Sequence, residues 1–259
     1  MNLLPSLATG EPTRLVTGLW LTDQARLPET WIVDTWANCA VYILALAHNF
    51  VCKIRKSPDF RTELFVEWQS LSNITNSHEQ NQPSIFRPLV SQPSSHKNPF
   101  CSSFYVSEAV SAAVQILDLV RFLLILSRPK RSRAERLARF QAQGEIARIY
   151  TDRIVGNSIT NRYDVNWATA VQLLSSAGHA LVGWRGRKAL LKCLSDIQAK
   201  TGWNTRESIN GLMAWWGWSK APSVVGINWK DTAEEIGDES GPGQALLRMF
   251  EWNTPKRRS

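Results

Sequence analysis

Apolar residues at Trp36, Ala40, Ile43, Leu44, Ala47, Phe50, Val51 and Ile54 recur at intervals of three and four, which marks one face of a helix. Asp34 and Thr35 stand before them as capping candidates. Beyond Pro58, the residues Phe60, Leu64, Trp68 and Leu71 repeat the spacing and predict a shorter helix packed on the first. Residues 76–103 change character. Pro83, Pro88, Pro93 and Pro99 interrupt a stretch rich in Ser, Asn and Gln and forbid a continuous helix. The pattern there predicts a long crossover pinned by Ile85, Phe86, Leu89 and Phe100.

Ser107 and Glu108 open a strongly apolar run through Val110, Val114, Leu117, Val120 and Leu124 that proline stops at Pro129, and it reads as the central core helix. Ser132 and Glu135 stand at capping-box spacing before Leu137, Phe140, Ile146 and Tyr150, with an expected end near Gly156. A further helix is predicted from Asp164 through Leu181, stopping at Gly183. Residues 187–200 are amphipathic and closed by Gly202, and the Asn204 and Glu207 pair starts a last strong helix through Ile209, Leu212, Met213 and Trp216. From Lys220 the pattern weakens into Gly and acidic residues, with one short helix predicted at 243–252 and a basic tail. No segment shows β alternation. The expected fold class is all-α: an irregular array of amphipathic helices with a Pro-rich crossover.

Composition narrows the picture little. At 259 residues, 44% hydrophobic and 20% charged, the chain matches an ordinary globular protein and excludes a disordered or collagen-like one. Thirty Lys and Arg against 22 Asp and Glu leave a net charge of +8, which keeps acidic partners in view without selecting one. Cys39, Cys52, Cys101 and Cys193 are scattered, form no C-x-x-C pair and write no zinc motif, so they read as free thiols. The first ten residues lack a basic stretch and carry Pro5 in their apolar part, so no secretory leader is expected. The longest unbroken apolar runs, 39–46 and 122–126, fall short of a membrane span.

The signatures of the commonest hydrolases, zinc proteases, P-loop proteins and dinucleotide-binding proteins are absent. Of the four histidines, His78 and His96 fall in the expected crossover, while His48 and His179 lie on helices without a second ligand at i+3 or i+4. No catalytic residue, metal site or cofactor is expected. Trp215, Trp216 and Trp218 cluster near the end of the helical run and are candidates for packing or for a contact surface. Two basic groups remain: one containing Arg128, Lys130, Arg131 and Arg133, with Arg136 and Arg139 behind it, and the terminal Lys256, Arg257 and Arg258. Both are candidate nuclear import signals, the second being preceded by proline in an extended tail.

The order of segments resembles a known family. Residues 65–71, then Phe86, Arg87, Pro88 and Leu89, then Asn98, Pro99 and Phe100, then a small-residue helix leading to the L-L-I-L-S-R-P of 123–129, are similar to the regulatory domain of fungal zinc-cluster transcription factors. The second half follows the same family: R-I-V-G-N-S at 153–158, Ala170, Val171 and Gln172 with Ala177 and Gly178, and Thr201, Gly202 and Trp203 followed by Trp216 and Gly217. The resemblance spans residues 60–218. Cys101 replaces a proline common after the N-P-F motif, and Val155 stands where the family often has cysteine. The family's DNA reader needs six closely spaced cysteines, and four scattered ones cannot build it.

The resemblance implies an α-helical domain of the nucleus that regulates transcription through protein contacts or ligand sensing, without its own zinc-cluster DNA reader. The expected partners are the transcription machinery, a full-length regulator or a second copy of the chain, with neither direct DNA binding nor membrane attachment. The alternative is a helical scaffold or dimerisation module without a transcriptional role. The expected organisation is a divergent segment at 1–30, the helical domain at 31–219, and a linker, short helix and basic tail at 220–259.

Overall fold

A computed structural model describes residues 3–13, 32–56, 61–95, 98–129 and 133–218. The chain runs through α1 (Leu3–Thr9), α2 (Ile32–Lys56), α3 (Thr62–Gln80), a 3-10 turn (Ser84–Phe86), β1 (Val90–Gln92), β2 (Ser102–Phe104), α4 (Glu108–Leu126), α5 (Arg133–Thr160), α6 (Asp164–Gly178), α7 (Trp184–Thr201) and α8 (Arg206–Trp216). The fold is all-α apart from one small antiparallel pair.

Helix α4 forms the axis. Twelve of its 19 residues are buried, so it is enclosed on nearly every side rather than presenting a single apolar stripe. Its start is sealed by the Ser107 hydroxyl, which accepts a hydrogen bond from the Val110 amide at 3.2 Å. Helix α2 packs against it most extensively, with Ala40, Ala45 and Ala47 fully buried along the contact, while α5 and α6 cover its other sides. Helix α3 is tied on by the Trp68 indole, which donates to the Leu124 carbonyl at 2.8 Å, and by the Arg121 and Glu79 ion pair. Helices α7 and α8 close the array over α6, and left-handed glycines, Gly202 at φ 76° and Gly217 at φ 76°, end each of them.

Residues 3–13 lie against the core. Leu3 is buried, the Thr13 amide donates to Asn49 Oδ1 at 2.8 Å, and the Glu11 carbonyl sits 2.8 Å from His48 Nε2.

Several boundaries depart from the periodicity. Helix α2 starts at Ile32, so Asp34 lies inside its first turn. Helix α3 continues to Gln80, placing His78 on a helix and not in the crossover. Its polar end is held by tertiary contacts: the His78 ring stacks on Trp36 with centroids 4.3 Å apart, and Phe86 lies against the same indole. Helix α5 runs through Gly156 to Thr160. Helix α6 ends at Gly178, and Gly183 precedes α7 instead of ending α6. Thr205, not Asn204, is the N-cap residue of α8. The crossover contains β1 and β2, paired Val90 with Phe104 and Gln92 with Ser102. Ser132 and residues 243–252 lie outside the described residues.

Two helices, Val33–Lys56 and Glu108–Leu126, are long and apolar enough to cross a membrane, which counting only unbroken apolar runs did not detect. In this fold 72% of the apolar window of α4 and 56% of that of α2 is buried inside the protein, which is the character a core helix needs.

Candidate functional site

The residues of the N-P-F and R-I-V-G-N-S segments meet at one junction. Asn98 Oδ1 accepts from the Phe100 amide at 3.2 Å, a tight local turn that delivers the Phe100 side chain into the core at 1% exposure. The chain then passes so close to α5 that a Cβ built on Gly156 would lie 1.9 Å from the Cys101 carbonyl oxygen. Glycine is what permits this approach. Just past the end of α5, Asn161 Oδ1 accepts from the Tyr105 amide at 3.0 Å while its amide group donates to the Ser103 carbonyl at 2.8 Å. Asn161 thus holds β2 as a neighbouring strand would.

Behind this lacing runs a fully buried polar seam between α4, α5 and α6. The Ser111 hydroxyl donates to Asn157 Oδ1 at 2.6 Å, and Asn157 returns a bond to the Ser111 carbonyl at 3.1 Å. Gln115 donates to the Ile154 carbonyl and also reaches the Ser158 hydroxyl. The Trp167 indole donates to the Ser158 carbonyl at 2.9 Å. Most buried polar groups are partnered, and although Gln115 Oε1 has no hydrogen-bond partner here, the bonds of this seam fix the register of the three helices as well as their contact.

The junction encloses a cleft of about 300 Å³ whose walls are the 3-10 turn, β2, α4 and α5. Phe86, Pro88 and Val114 give it an apolar side; Arg87, Tyr105, Asp118, Arg153 and Asn157 give it a polar one. Asp118 projects from the axial helix with its side chain 5% exposed, and Arg153 grips both carboxylate oxygens, Nη2 to Oδ1 at 2.9 Å and Nε to Oδ2 at 3.2 Å. Burial pushes the Asp118 carboxyl up to about 7, with Arg153 opposing the rise. Burial likewise raises the Tyr105 phenol to about 12 and lifts the Cys101 thiol. These are the shifts expected where charged forms are poorly solvated. None of the cleft's polar groups is arranged as a nucleophile with a base.

The candidate residues taken from the sequence lie elsewhere. Arg128 places its guanidinium 4.8 Å over the Trp68 ring. Arg133 opens α5, and Lys130, Arg131, Lys256, Arg257 and Arg258 lie outside the described residues. Trp216 is turned inward at 6% exposure with its indole donating to the Gly178 carbonyl at 3.2 Å. Trp215 and Trp218 are half-buried against the core, and the Trp215 indole donates to the His179 carbonyl at 3.1 Å. The His179 ring meets Trp215 edge-on. Cys39, Cys52 and Cys193 are buried free thiols and Cys101 a half-buried one. Among the described residues no group of His, Cys, Asp or Glu is placed to hold a metal ion.

The chain is similar to a fungal transcription activator. It is 24% identical over 168 residues to the transcription activator AMTR1 of Alternaria alternata, an alignment that covers 59% of this chain and 22% of the activator. It therefore spans about a fifth of the length of that relative. No family model matches the chain, and no solved structure does. A relationship to a transcription factor over part of its length is what the similarity supports.

Several lining residues, Phe86, Arg87, Pro88, Cys101, Arg153 and Asn157, belong to the segments that carry the family resemblance, while Gln82, Tyr105 and Asp118 carry no sequence signal of that kind. For Asp118 one general signal exists: it is a carboxylate in the middle of a strongly apolar helix, where such a residue needs a partner.

Proposed function

We propose that this chain is a regulatory domain of the fungal zinc-cluster-factor type, acting on transcription in the nucleus through contacts with protein partners or a small ligand. It does not read DNA in this proposal and carries no catalysis. The observation that carries the reading is a convergence. The segments that resemble the family, separated by dozens of residues, meet at the Gly156 and Asn161 lacing of β2 to α5. The similarity to a named transcription activator supports the same reading from a second direction.

The test is a reporter assay with the chain fused to an unrelated DNA-binding domain, paired with imaging of a tagged copy in a fungal cell. The expected result is nuclear accumulation and a change in reporter output that disappears when the β2 lacing is broken by Asn161→Ala. A tagged chain that stays outside the nucleus, or a fusion whose reporter output equals that of the DNA-binding domain alone, overturns the proposal. Purified chain is expected to bind promoter DNA only weakly and without sequence preference; tight, sequence-selective binding with a steep salt slope would contradict it.

A further inference from the structure

The cleft has an imbalance of charge that its own contacts leave standing. Two arginines, Arg87 and Arg153, are among its lining residues, against one acidic residue, Asp118. Asp118 is used on both oxygens by Arg153, and Arg87 makes no ion pair among the described residues. The neighbouring Arg121 is already matched by Glu79, and Asp152, which acts on Cys101 electrostatically, is outside the lining. Phe86, Pro88 and Val114 line it as well. A volume of about 300 Å³ lies at the lower end of the range for small-molecule sites, where an apolar wall supplies the burial and a few polar groups fix orientation.

We infer that the cleft between the 3-10 turn, β2, α4 and α5 binds a small organic monoanion, a carboxylate with an apolar body. Its head takes the outward donors of Arg153 and the guanidinium of Arg87, and its body lies on Phe86, Pro88 and Val114. Guanidinium groups recognise carboxylates through paired N–H donors, which an amide of the same shape cannot match. Asp118 acts as a positioning residue: it holds the Arg153 fork through Nη2 and Nε, while the guanidinium also lies over the Tyr150 ring. The inference deepens the reading of the chain as a regulator by giving it a ligand class, but binding is read on purified protein. A failure here leaves the reporter result standing, and a silent reporter leaves a measured affinity standing.

The experiment titrates the full chain calorimetrically with phenylacetate, indole-3-acetate and octanoate, and with the uncharged amide of each. At least one acid is expected to saturate with a Kd of about 1 mM or tighter, with its amide at least about tenfold weaker. Arg87→Gln changes an exposed side chain, so the variant should melt like the parent while binding the acid at least about fivefold more weakly. Iodoacetamide labelling followed by peptide mass spectrometry locates the site. Cys101 lines the cleft whereas Cys39, Cys52 and Cys193 are buried, so the acid should slow alkylation of Cys101 and the amide should not. The inference is overturned if no acid saturates, if acid and amide bind alike, if Arg87→Gln binds as tightly as the parent, or if saturating acid leaves Cys101 labelling unchanged.

Discussion

Gly156 and Cys101 are held in backbone contact: the space a Cβ on Gly156 would fill is occupied by the Cys101 carbonyl oxygen, 1.9 Å away. A helix interior ordinarily disfavours glycine, so its presence in α5 reflects what crosses over it. Gly156→Ala should therefore destabilise the chain by at least about 3 kcal/mol, the upper part of the range for overpacking, because the obstructing atom is backbone and cannot rotate away. Urea unfolding measures this. A stabilisation of the kind Gly→Ala gives in an open helix would show that β2 does not press on α5.

Asn161 supplies the two bonds that a missing strand would have made to β2. Asn161→Ala leaves the Tyr105 amide and the Ser103 carbonyl without these partners and should cost about 2–3 kcal/mol. Hydrogen exchange should show the loss concentrated at residues 102–106, with α7 and α8 protected as before. Uniform loss across the helices would mean the lacing has no local role.

Asp118 and His78 respond to pH in opposite senses. Burial raises Asp118 from 3.8 to about 7, so between those values the folded chain keeps a proton the unfolded chain has released, and stability falls as pH rises. Burial lowers His78 from 6.5 to about 4, so the folded chain refuses a proton the unfolded chain accepts, and stability falls as pH drops through that window. Each effect amounts to at most about 1.4 kcal/mol per pH unit. Asp118→Asn removes the first and keeps the second. The stability difference, variant minus parent, should then become more favourable to the variant from pH 4 to pH 7 in paired melts. Parallel profiles would contradict the burial of Asp118.

The tryptophans near the end of the helical run separate by burial. Trp216→Ala removes a 6% exposed ring and its bond to Gly178, and should cost about 3–5 kcal/mol. Trp203, 54% exposed, should change stability by no more than about 0.5 kcal/mol when truncated. Thermal melts of the two variants side by side check the contrast.

What the sequence reveals follows from where the determining contacts lie. Helix α4 was legible because its signals are local: an N-cap serine, an apolar run and a proline stop. Gly202 was read correctly as a terminator because a left-handed cap is a local requirement. Gly156 was misread as a terminator because its reason lies in Cys101, which is distant in sequence. The last turns of α3 are polar and offer no periodicity; tertiary contacts hold them, among them the Trp36 stack and its indole bond to the His78 carbonyl, the buried Thr75 and the Arg121 ion pair. Strands of three exposed or half-exposed residues are too short for alternation to register. The cleft itself is hidden for a related reason: its walls come from four elements, and although the family-like stretches include Phe86, Arg87, Pro88, Arg153 and Asn157, nothing in their spacing shows that they meet.

The enclosure of α4 has a consequence for how the chain is made. During synthesis α2 leaves the ribosome before α4, bearing an apolar face whose main cover is a helix still inside the exit tunnel. Until that helix emerges α2 can close only on α3, a small part of its native contact, which makes this interval the one when chaperone occupancy on a nascent chain should peak.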